Sequence, residues 1–133
     1  MSNPKKTILA IDDDPEICEA LSTILTQSDY RVLTATDTTN GYRIFEEHHP
    51  DLVILDIMMA TMDEGLRFAE RIKKKEGIWG VPIMIVSGRP PAEKPYGRTV
   101  EEDMEWIKAD IFMEKPVDPK DLISNVKKLL KEA

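Results

Sequence analysis

Three consecutive aspartates, Asp12, Asp13 and Asp14, directly follow an apolar run in the segment ILAIDDDPE. A fourth, Asp56, ends a second apolar run, DLVILD, much later in the chain. Two carboxylates about 4 Å apart repel by roughly 4 kcal/mol at an effective dielectric constant near 20, so a group of them at one place needs a cation. Oxygen ligands suit Mg²⁺ first, with Mn²⁺ and Ca²⁺ next.

A hydroxyl and an amine follow two further apolar runs. Ser87 ends VPIMIVS, and Lys115 comes directly after DIFME. One divalent ion and the Lys115 ammonium would balance three carboxylates, and Mg²⁺ keeps coordination positions open for substrate phosphate. The set therefore predicts phosphoryl chemistry. Asp56 would be a carboxylate nucleophile, Lys115 would balance charge on the transferred group, and Ser87 would hydrogen-bond one of its oxygens.

These residues can act together only if the fold brings them to one place. Apolar runs alternate with amphipathic stretches, which predicts strands over 7–11, 31–36, 51–56, 81–87 and 110–114. Helices are predicted from Pro15, in NGYRIFEEH, over about 65–75, in VEEDMEWIKA and from Pro119. This alternation predicts a parallel sheet covered by helices on both faces. Sites in such sheets form at the carboxyl ends of the strands, where all the candidate side chains fall.

Two of the predicted helices have clear starts. Asp14 is predicted to cap the first helix, with Pro15 as its first residue, and this role is favoured over metal ligation. Asp118 is predicted to cap the last helix in the same way, with Pro119 inside it. The residues predicted to face inward are Ile17, Ala20, Leu21, Ile24 and Leu25 in the first helix, and Leu122, Ile123, Val126, Leu129 and Leu130 in the last. Cys18 is interpreted as a small packing residue.

Composition indicates the broad class of protein. A chain of 133 residues with 41% hydrophobic residues predicts one globular domain over 1–133, with a core over about 6–131. A formal charge of -7 argues against direct nucleic-acid binding. A single cysteine allows no internal disulfide, and the segment MSNPKKT shows no apolar signal region. No apolar run is long enough for a membrane span, so we expect a cytoplasmic protein.

Four motifs carry a family resemblance. ILAIDDDPEI, DLVILDIMM, PIMIVSG and FMEKPVDP, in this order and approximate spacing, resemble those of the response-regulator receiver domains of two-component signal transduction. The resemblance covers nearly all of the chain. It implies a CheY-like, flavodoxin-like α/β fold, which is a doubly wound, five-stranded parallel sheet of order 2-1-3-4-5 with five helices.

The resemblance implies a phosphoacceptor and a metal site. Asp56 matches the aspartate that takes the phosphoryl group. Mg²⁺, or Mn²⁺ in its place, would bind to Asp13, Asp56 and the backbone carbonyl of Met58. Asp12 would contact the ion through water.

Further residues match positions that contact the phosphoryl group or respond to it. Ser87 matches the switch hydroxyl and Lys115 the phosphoryl-contacting lysine, and a cis peptide is implied between Lys115 and Pro116. Phe112 falls at the aromatic switch position, although a plain core phenylalanine is an equal interpretation. Arg89, two residues past Ser87, is close enough to modulate access to the phosphoryl group.

The expected function is that of a phosphoaccepting signalling module. A histidine kinase or phosphotransfer protein would donate the phosphoryl group to Asp56 in a Mg²⁺-dependent step. The surface formed by the fourth helix, fifth strand and fifth helix would then engage a downstream protein. The chain would not be an enzyme beyond its own phosphoryl transfer and dephosphorylation. It would be a monomer or a weak, phosphorylation-linked dimer.

Three alternatives remain open. A receiver fold with little phosphorylation would signal by protein contact alone. A phosphatase of the haloacid-dehalogenase type would use Asp12 as nucleophile and Asp14 as acid and base, although no second acidic pair or cap domain is visible. A flavodoxin-like nucleotide binder would need a phosphate-binding loop rich in glycine or hydroxyl residues, whereas the first loop here is acidic.

Two segments depart from the family pattern. Ala60 stands where the family commonly has proline, and Glu64 looks like one extra residue before Gly65. The 88–99 stretch, which contains RPPAEKPYGRT, is longer than is common. A tolerated surface loop, a partner surface and a lid over the site are the interpretations of this second segment.

Overall fold

Strands and helices alternate along the chain in the computed structural model, which describes residues 5–56, 81–87 and 110–131. The described elements are β1 (Thr7–Ile11), α1 (Pro15–Gln27), β2 (Arg31–Ala35), α2 (Thr38–His48), β3 (Leu52–Leu55), β4 (Ile83–Ser87), β5 (Ile111–Glu114) and a C-terminal helix (Pro119–Leu129). The helices predicted over about 65–75 and in VEEDMEWIKA lie outside the described residues, as do Ala60, Glu64 and the 88–99 stretch.

The five strands form one parallel sheet in the order β2-β1-β3-β4-β5. The last residue of β1, Ile11, pairs with Ala35 of β2 and with Leu55 of β3. At the other side of the sheet, Ser87 at the end of β4 pairs with Glu114 at the end of β5. The carboxyl ends of neighbouring strands therefore meet at one edge, and the predicted order 2-1-3-4-5 is confirmed.

Both faces of the sheet are buried under helices. Alternate residues of a strand point to opposite faces, so β1 contributes to two separate cores. The first core packs sheet residues against α2: Leu9, Ile11, Ala35, Tyr42, Phe45, Val53, Leu55, Ile83 and Ile85. The second packs the opposite face against α1 and the C-terminal helix: Ile8, Ala10, Leu21, Leu25, Tyr30, Leu52, Ile54, Met84, Val86, Leu122 and Val126. This double covering confirms the predicted flavodoxin-like architecture.

Helix α1 begins as predicted, but one of its inward positions is wrong. The carboxylate of Asp14 accepts the Glu16 backbone N–H at 2.9 Å, and Pro15 is the first helical residue. Ala20 is exposed, whereas Cys18 is buried. The buried stripe of α1 runs through Cys18, Leu21 and Leu25 at spacings of three and four, and Ala20 lies beyond its edge.

The C-terminal helix also begins at the predicted cap. Asp118 accepts the backbone N–H groups of Lys120 and Asp121 at 2.8 and 3.2 Å. Leu122 and Val126 are buried as predicted. The other three predicted inward residues are only half-buried, since they lie at the margin of the second core: Ile123, Leu129 and Leu130.

Two aspartates at the other edge of the sheet lie outside the strands predicted to contain them. The carboxylate of Asp51 accepts the Thr7 N–H at 2.8 Å, and that of Asp110 accepts the Ile83 N–H at 3.0 Å. Each side chain therefore satisfies the first amide of a neighbouring strand, and β3 and β5 begin one residue later than predicted.

No helix in the described part of the chain has the length and apolar character to cross a membrane.

Helix α2 begins two residues earlier than predicted because Asp37 caps it. The Asp37 carboxylate accepts the Asn40 backbone N–H at 2.7 Å and the Asn40 side-chain amide at 2.9 Å. The hydrogen bond from the backbone amide is the main reason that the pKa of Asp37 lies below its ordinary value of 3.8.

Replacing Asp37 with alanine is expected to lower the free energy of unfolding by about 1 kcal/mol at neutral pH, the usual cost of a lost N-cap. A carboxylate with a lowered folded-state pKa stabilises above its unfolded pKa and loses that stability as pH falls through the folded value. The difference between the two proteins should therefore shrink in urea unfolding at about pH 3. Asp37→Asn, which caps without titrating, is the matched control and should stay close to wild type at neutral pH. An alanine deficit that is equal at both pH values would contradict a charged cap.

Candidate metal and phosphoryl site

Asp12 and Asp56 lie side by side at the carboxyl edge of the sheet. Asp12 follows β1, and its N–H donates to the Ala35 carbonyl at 3.1 Å. Asp56 follows β3, and its N–H donates to the Ile11 carbonyl at 3.0 Å. Both carboxylates are buried, with residue exposures of 1% and 4%. The strand register thus brings two acidic groups from distant parts of the chain together, as the sequence predicted.

Lys115 contacts both buried carboxylates. Its Nζ lies 2.6 Å from Oδ2 of Asp12 and 3.3 Å from Oδ2 of Asp56. The lysine follows β5 and is joined to Pro116 by a cis peptide, as the family resemblance implied. The ammonium therefore sits where it can balance charge on the two aspartates and on a group attached to either.

Asp12, Asp13 and Asp56 together form a cluster, the acidic group, that fits a divalent ion. One carboxylate oxygen from each of Asp12, Asp13 and Asp56 lies within 4.8 Å of the other two, and Asp13 is exposed. Two oxygens bound to one Mg²⁺ at about 2.1 Å lie at most about 4.2 Å apart. The separations suit one ion if one of the three carboxylates binds through water, and the all-oxygen donor set suits Mg²⁺ or Mn²⁺.

Asp12 is the carboxylate best suited to an indirect role. Its Oδ2 is paired with Lys115, and its Oδ1 accepts the Asp14 N–H at 2.9 Å. Both of its oxygens are thus engaged in the protein, which supports the predicted contact through water. The Asp14 carboxylate caps α1, so the three consecutive aspartates divide into two at the acidic group and one at the helix.

Burial and pairing shift two pKa values in the site. Burial raises the pKa of the Asp12 carboxyl above 3.8, and the hydrogen bonds from Lys115 and from the Asp14 N–H offset only part of that effect. Burial alone would lower the pKa of Lys115, but its hydrogen bond to Asp12 and the charges of Asp56 and Asp12 outweigh this and leave it above 10.5. Lys115 is therefore charged at neutral pH, yet its charge does not bring the pKa of the buried Asp12 carboxyl back to its ordinary value.

Cys18 supports the Asp12 turn in a way that the sequence analysis missed. Its buried thiol has one proton, which it shares between the Asp12 carbonyl at 3.3 Å and the Ala35 carbonyl at 3.6 Å. Burial raises the pKa of this thiol, with a further contribution from the charge of Asp12. The packing role predicted for Cys18 is confirmed. The hydrogen bonds arise because one turn of α1 returns the chain beneath the end of β1.

The remaining predicted site residues are placed only in part. Ser87 ends β4 at the same edge of the sheet, but its side chain lies outside the described residues. Phe112, in β5, is half-buried against the first core, which leaves both of its interpretations open. Met58 and Arg89 lie outside the described residues. Their predicted roles, and that of the Ser87 hydroxyl, stay predictions.

Comparisons with known proteins point to one family. The family model described as Response regulator receiver domain matches residues 8–127. Response regulator GtcR of Aneurinibacillus migulanus is 31% identical over 129 residues, covering 96% of this chain and 49% of the relative. Probable transcriptional regulator ycf27 of Cyanophora paradoxa is 33% identical over 127 residues, covering 96% of this chain and 49% of the relative. The chain spans about half the length of these curated relatives.

A solved structure agrees over nearly all of its length. The CheY-like response regulator receiver domain protein of Methanospirillum hungatei JF-1 matches with a TM-score of 0.82 and 28% identity, covering 96% of this chain and 95% of that one. A putative response regulator of Chloroflexus aurantiacus J-10-fl, at 21% identity and a TM-score of 0.83, shows the same fold. With the acidic group at the carboxyl edge of a 2-1-3-4-5 sheet, these matches establish that the chain belongs to the response regulator receiver domain family of two-component systems.

Proposed function

We propose that this receiver domain accepts a phosphoryl group on Asp56 in a reaction that requires Mg²⁺. The observation that carries the proposal is the placement of the Asp56 carboxylate. It is buried, it shares a group with Asp12 and Asp13 whose oxygens lie within 4.8 Å, and it contacts the Lys115 ammonium at 3.3 Å. A buried nucleophile beside one fixed cation and a site for a second suits transfer of a highly charged group.

In the proposed reaction, a carboxylate oxygen of Asp56 attacks the phosphorus of the donor and forms an O–P bond. The bond from phosphorus to the donor breaks, and its electron pair leaves with the donor. Lys115 then faces the added phosphoryl oxygens as well as Asp12, so its charge is already in place when negative charge arrives. Asp13, Asp56 and water-linked Asp12 would hold Mg²⁺, which when bound neutralises phosphoryl charge. Water later attacks the phosphorus of the acyl phosphate, the O–P bond to Asp56 breaks, and inorganic phosphate leaves with the Asp56 carboxylate restored.

The donor, in this proposal, is a histidine kinase or phosphotransfer protein, and the chain catalyses only its own transfer and dephosphorylation. Phosphorylation changes the surface formed by the fourth helix, fifth strand and fifth helix of the family fold, which then engages a downstream protein in the cytoplasm. The membership of the receiver family supports this role. The names of the curated relatives describe proteins about twice as long as this chain.

The proposal is tested by incubating the protein with acetyl phosphate and Mg²⁺ and measuring its intact mass. We expect a gain of one phosphoryl group, loss of that gain in excess chelator, and no gain in Asp56→Asn. Asp29→Asn is the matched control because Asp29 is exposed and has a positive φ of 74°, a conformation that asparagine adopts well. Absence of a gain in the unaltered protein, or an equal gain in Asp56→Asn, would overturn the proposal.

One more variant separates the proposal from the phosphatase alternative. Asp14→Asn preserves the helix cap, since asparagine caps as well as aspartate. A receiver should accept the phosphoryl group on Asp56 unchanged in this variant, whereas a phosphatase that used Asp14 as its acid would lose turnover of phosphomonoesters. A receiver that signals by contact alone would show neither activity.

A further inference from the structure

Helix α2 approaches the end of β1 unusually closely at Gly41. A Cβ atom built on Gly41 would lie 2.6 Å from Cδ1 of Ile11, 3.1 Å from its Cγ1 and 3.7 Å from its Cγ2. Real Cβ atoms essentially never lie within 3.0 Å of another heavy atom. Gly41 is buried, so the backbone of α2 rests directly on the Ile11 side chain, and any larger residue must displace one of them.

Ile11 has little room to move away from such a displacement. It is 1% exposed and belongs to the first core, between residues of β2, β3 and α2. Cδ1 can turn about χ2, but Cγ1, which would lie 3.1 Å from the added Cβ, is held by the few χ1 rotamers of a β-branched side chain. Close-packed interiors also transmit strain rather than absorb it. A group added at residue 41 would therefore push on the main chain of Ile11 as well as on its side chain.

The main chain of Ile11 links the two halves of the acidic group. Asp12 is the next residue, and the Ile11 carbonyl accepts the Asp56 N–H at 3.0 Å. Ile11 is also the last paired residue of β1, in register with Leu55. Movement of Ile11 therefore changes the position of Asp12 relative to Asp56.

We propose that Gly41 is a positioning residue for the acidic group, and that Gly41 and Ile11 form a pair matched in volume. The absence of a side chain at residue 41 sets how far the end of β1 lies from α2. That distance sets the separation of Asp12 and Asp13 from Asp56. The consequence for phosphorylation rests on the proposed function, whereas the geometry of the pair does not.

The test compares Gly41→Ala, Ile11→Val and the double variant. Ile11→Val removes Cδ1, the atom closest to the added methyl group, so the double variant should restore the native fit. Two readouts are measured, namely Mg²⁺ affinity by calorimetry and the backbone amide resonances of Asp12, Asp13 and Asp56 without metal. Gly41→Ala should weaken Mg²⁺ binding by about 10-fold, the low end of the cost of disturbing residues that orient metal ligands, and should shift the Asp12 and Asp56 amide resonances. The double variant should return both readouts toward wild type.

A matched control separates positioning from general destabilisation. Val126→Ala removes buried volume from the second core, on the opposite face of the sheet, and should lower the urea midpoint without altering the two readouts. The inference is overturned if the amide resonances of Asp12 and Asp56 keep their wild-type chemical shifts in Gly41→Ala. It is also overturned if the double variant gives the same Mg²⁺ affinity and amide shifts as Gly41→Ala. If the unaltered protein accepts no phosphoryl group, the proposed function fails, but the amide resonances still decide the role of Gly41.

Discussion

Lys115→Met is expected to slow phosphorylation by acetyl phosphate by about 100-fold. The Lys115 ammonium lies 2.6 Å from Asp12 and 3.3 Å from Asp56, so it is a protein cation in position to face the group added to Asp56. Removal of one preorganised group that stabilises developing charge typically costs two to three orders of magnitude in rate. The same change should tighten Mg²⁺ binding several-fold, because the ammonium no longer competes for the carboxylates. The rates follow from intact mass against time, and the affinities from calorimetry.

The same variant should also show a characteristic pH dependence of stability. Loss of one partner from a buried ion pair lowers the free energy of unfolding by about 3 kcal/mol. Methionine replaces the apolar part of the lysine side chain, so the loss reports mainly on the charge. Without the ammonium, the pKa of Asp12, already raised by burial, rises further. A carboxyl whose pKa is higher in the folded protein than in the unfolded one costs no stability at low pH. The cost develops as the pH rises from the unfolded pKa to the folded pKa. Urea unfolding in chelator should therefore show that Lys115→Met has a lower free energy of unfolding than the unaltered protein above about pH 4, and that the difference is small below it.

Lys120→Met is the control, since Lys120 is exposed in the first turn of the C-terminal helix. It should leave rate, Mg²⁺ affinity and stability near wild type. A Lys115→Met protein that is phosphorylated at the normal rate would show that the ammonium is not part of the transfer site. Weaker Mg²⁺ binding in that variant would contradict competition between the two cations.

Asp13→Asn is expected to weaken Mg²⁺ binding by about 100-fold, equivalent to about 2.7 kcal/mol. Asp13 is exposed beside two buried carboxylates, and both oxygens of Asp12 are already engaged. Of the two carboxylates in the acidic group that follow β1, Asp13 is therefore the one suited to bind the ion directly. Calorimetric titration with Mg²⁺ measures the loss, and Asp29→Asn is again the matched control.

The stability of the Asp13 variant should change in the opposite direction when no metal is present. Two like charges within 4.8 Å repel by about 1 kcal/mol when water screens them. Removal of the Asp13 charge should raise the free energy of unfolding by up to about that amount in chelator, while saturating Mg²⁺ should favour the unaltered protein. A variant that is destabilised in chelator, or that binds Mg²⁺ as tightly as wild type, would exclude Asp13 as a direct ligand.

The sheet and the acidic group were predictable because they depend on short-range pattern and general topology. Strands buried on both faces appear as continuous apolar runs, as in DLVILD, and alternating strands and helices restrict the sheet to parallel order. The carboxyl ends of such strands meet at one edge, so Asp12, Asp56 and Lys115 were expected near one another. The order 2-1-3-4-5 and the cis peptide before Pro116 came from the family resemblance.

The details that were missed depend on contacts between elements distant in the chain. Ala20 fits the apolar period of α1 but lies beyond the stripe that the sheet covers. The hydrogen bond from the Cys18 thiol to the Asp12 carbonyl can be predicted only if the path of the turn between β1 and α1 is known. The close approach of Gly41 can be predicted only if the distance between α2 and Ile11 is known. The apolar period of a sequence does not predict such distances, because each depends on how the side chains of neighbouring elements pack against one another.

The central claim is that carboxylates from two distant segments hold one divalent ion beside Lys115. Mn²⁺, which suits the same oxygen ligands, tests it directly because it broadens the NMR resonances of nearby nuclei. At low ratios of Mn²⁺ to protein, the amides of Asp12, Asp13, Asp56 and Lys115 should broaden first, and those of Asp51 and Asp110, at the opposite edge of the sheet, should broaden last. Broadening centred on Asp51 and Asp110, or confined to Asp12 and Asp13 with Asp56 unaffected, would contradict the claim.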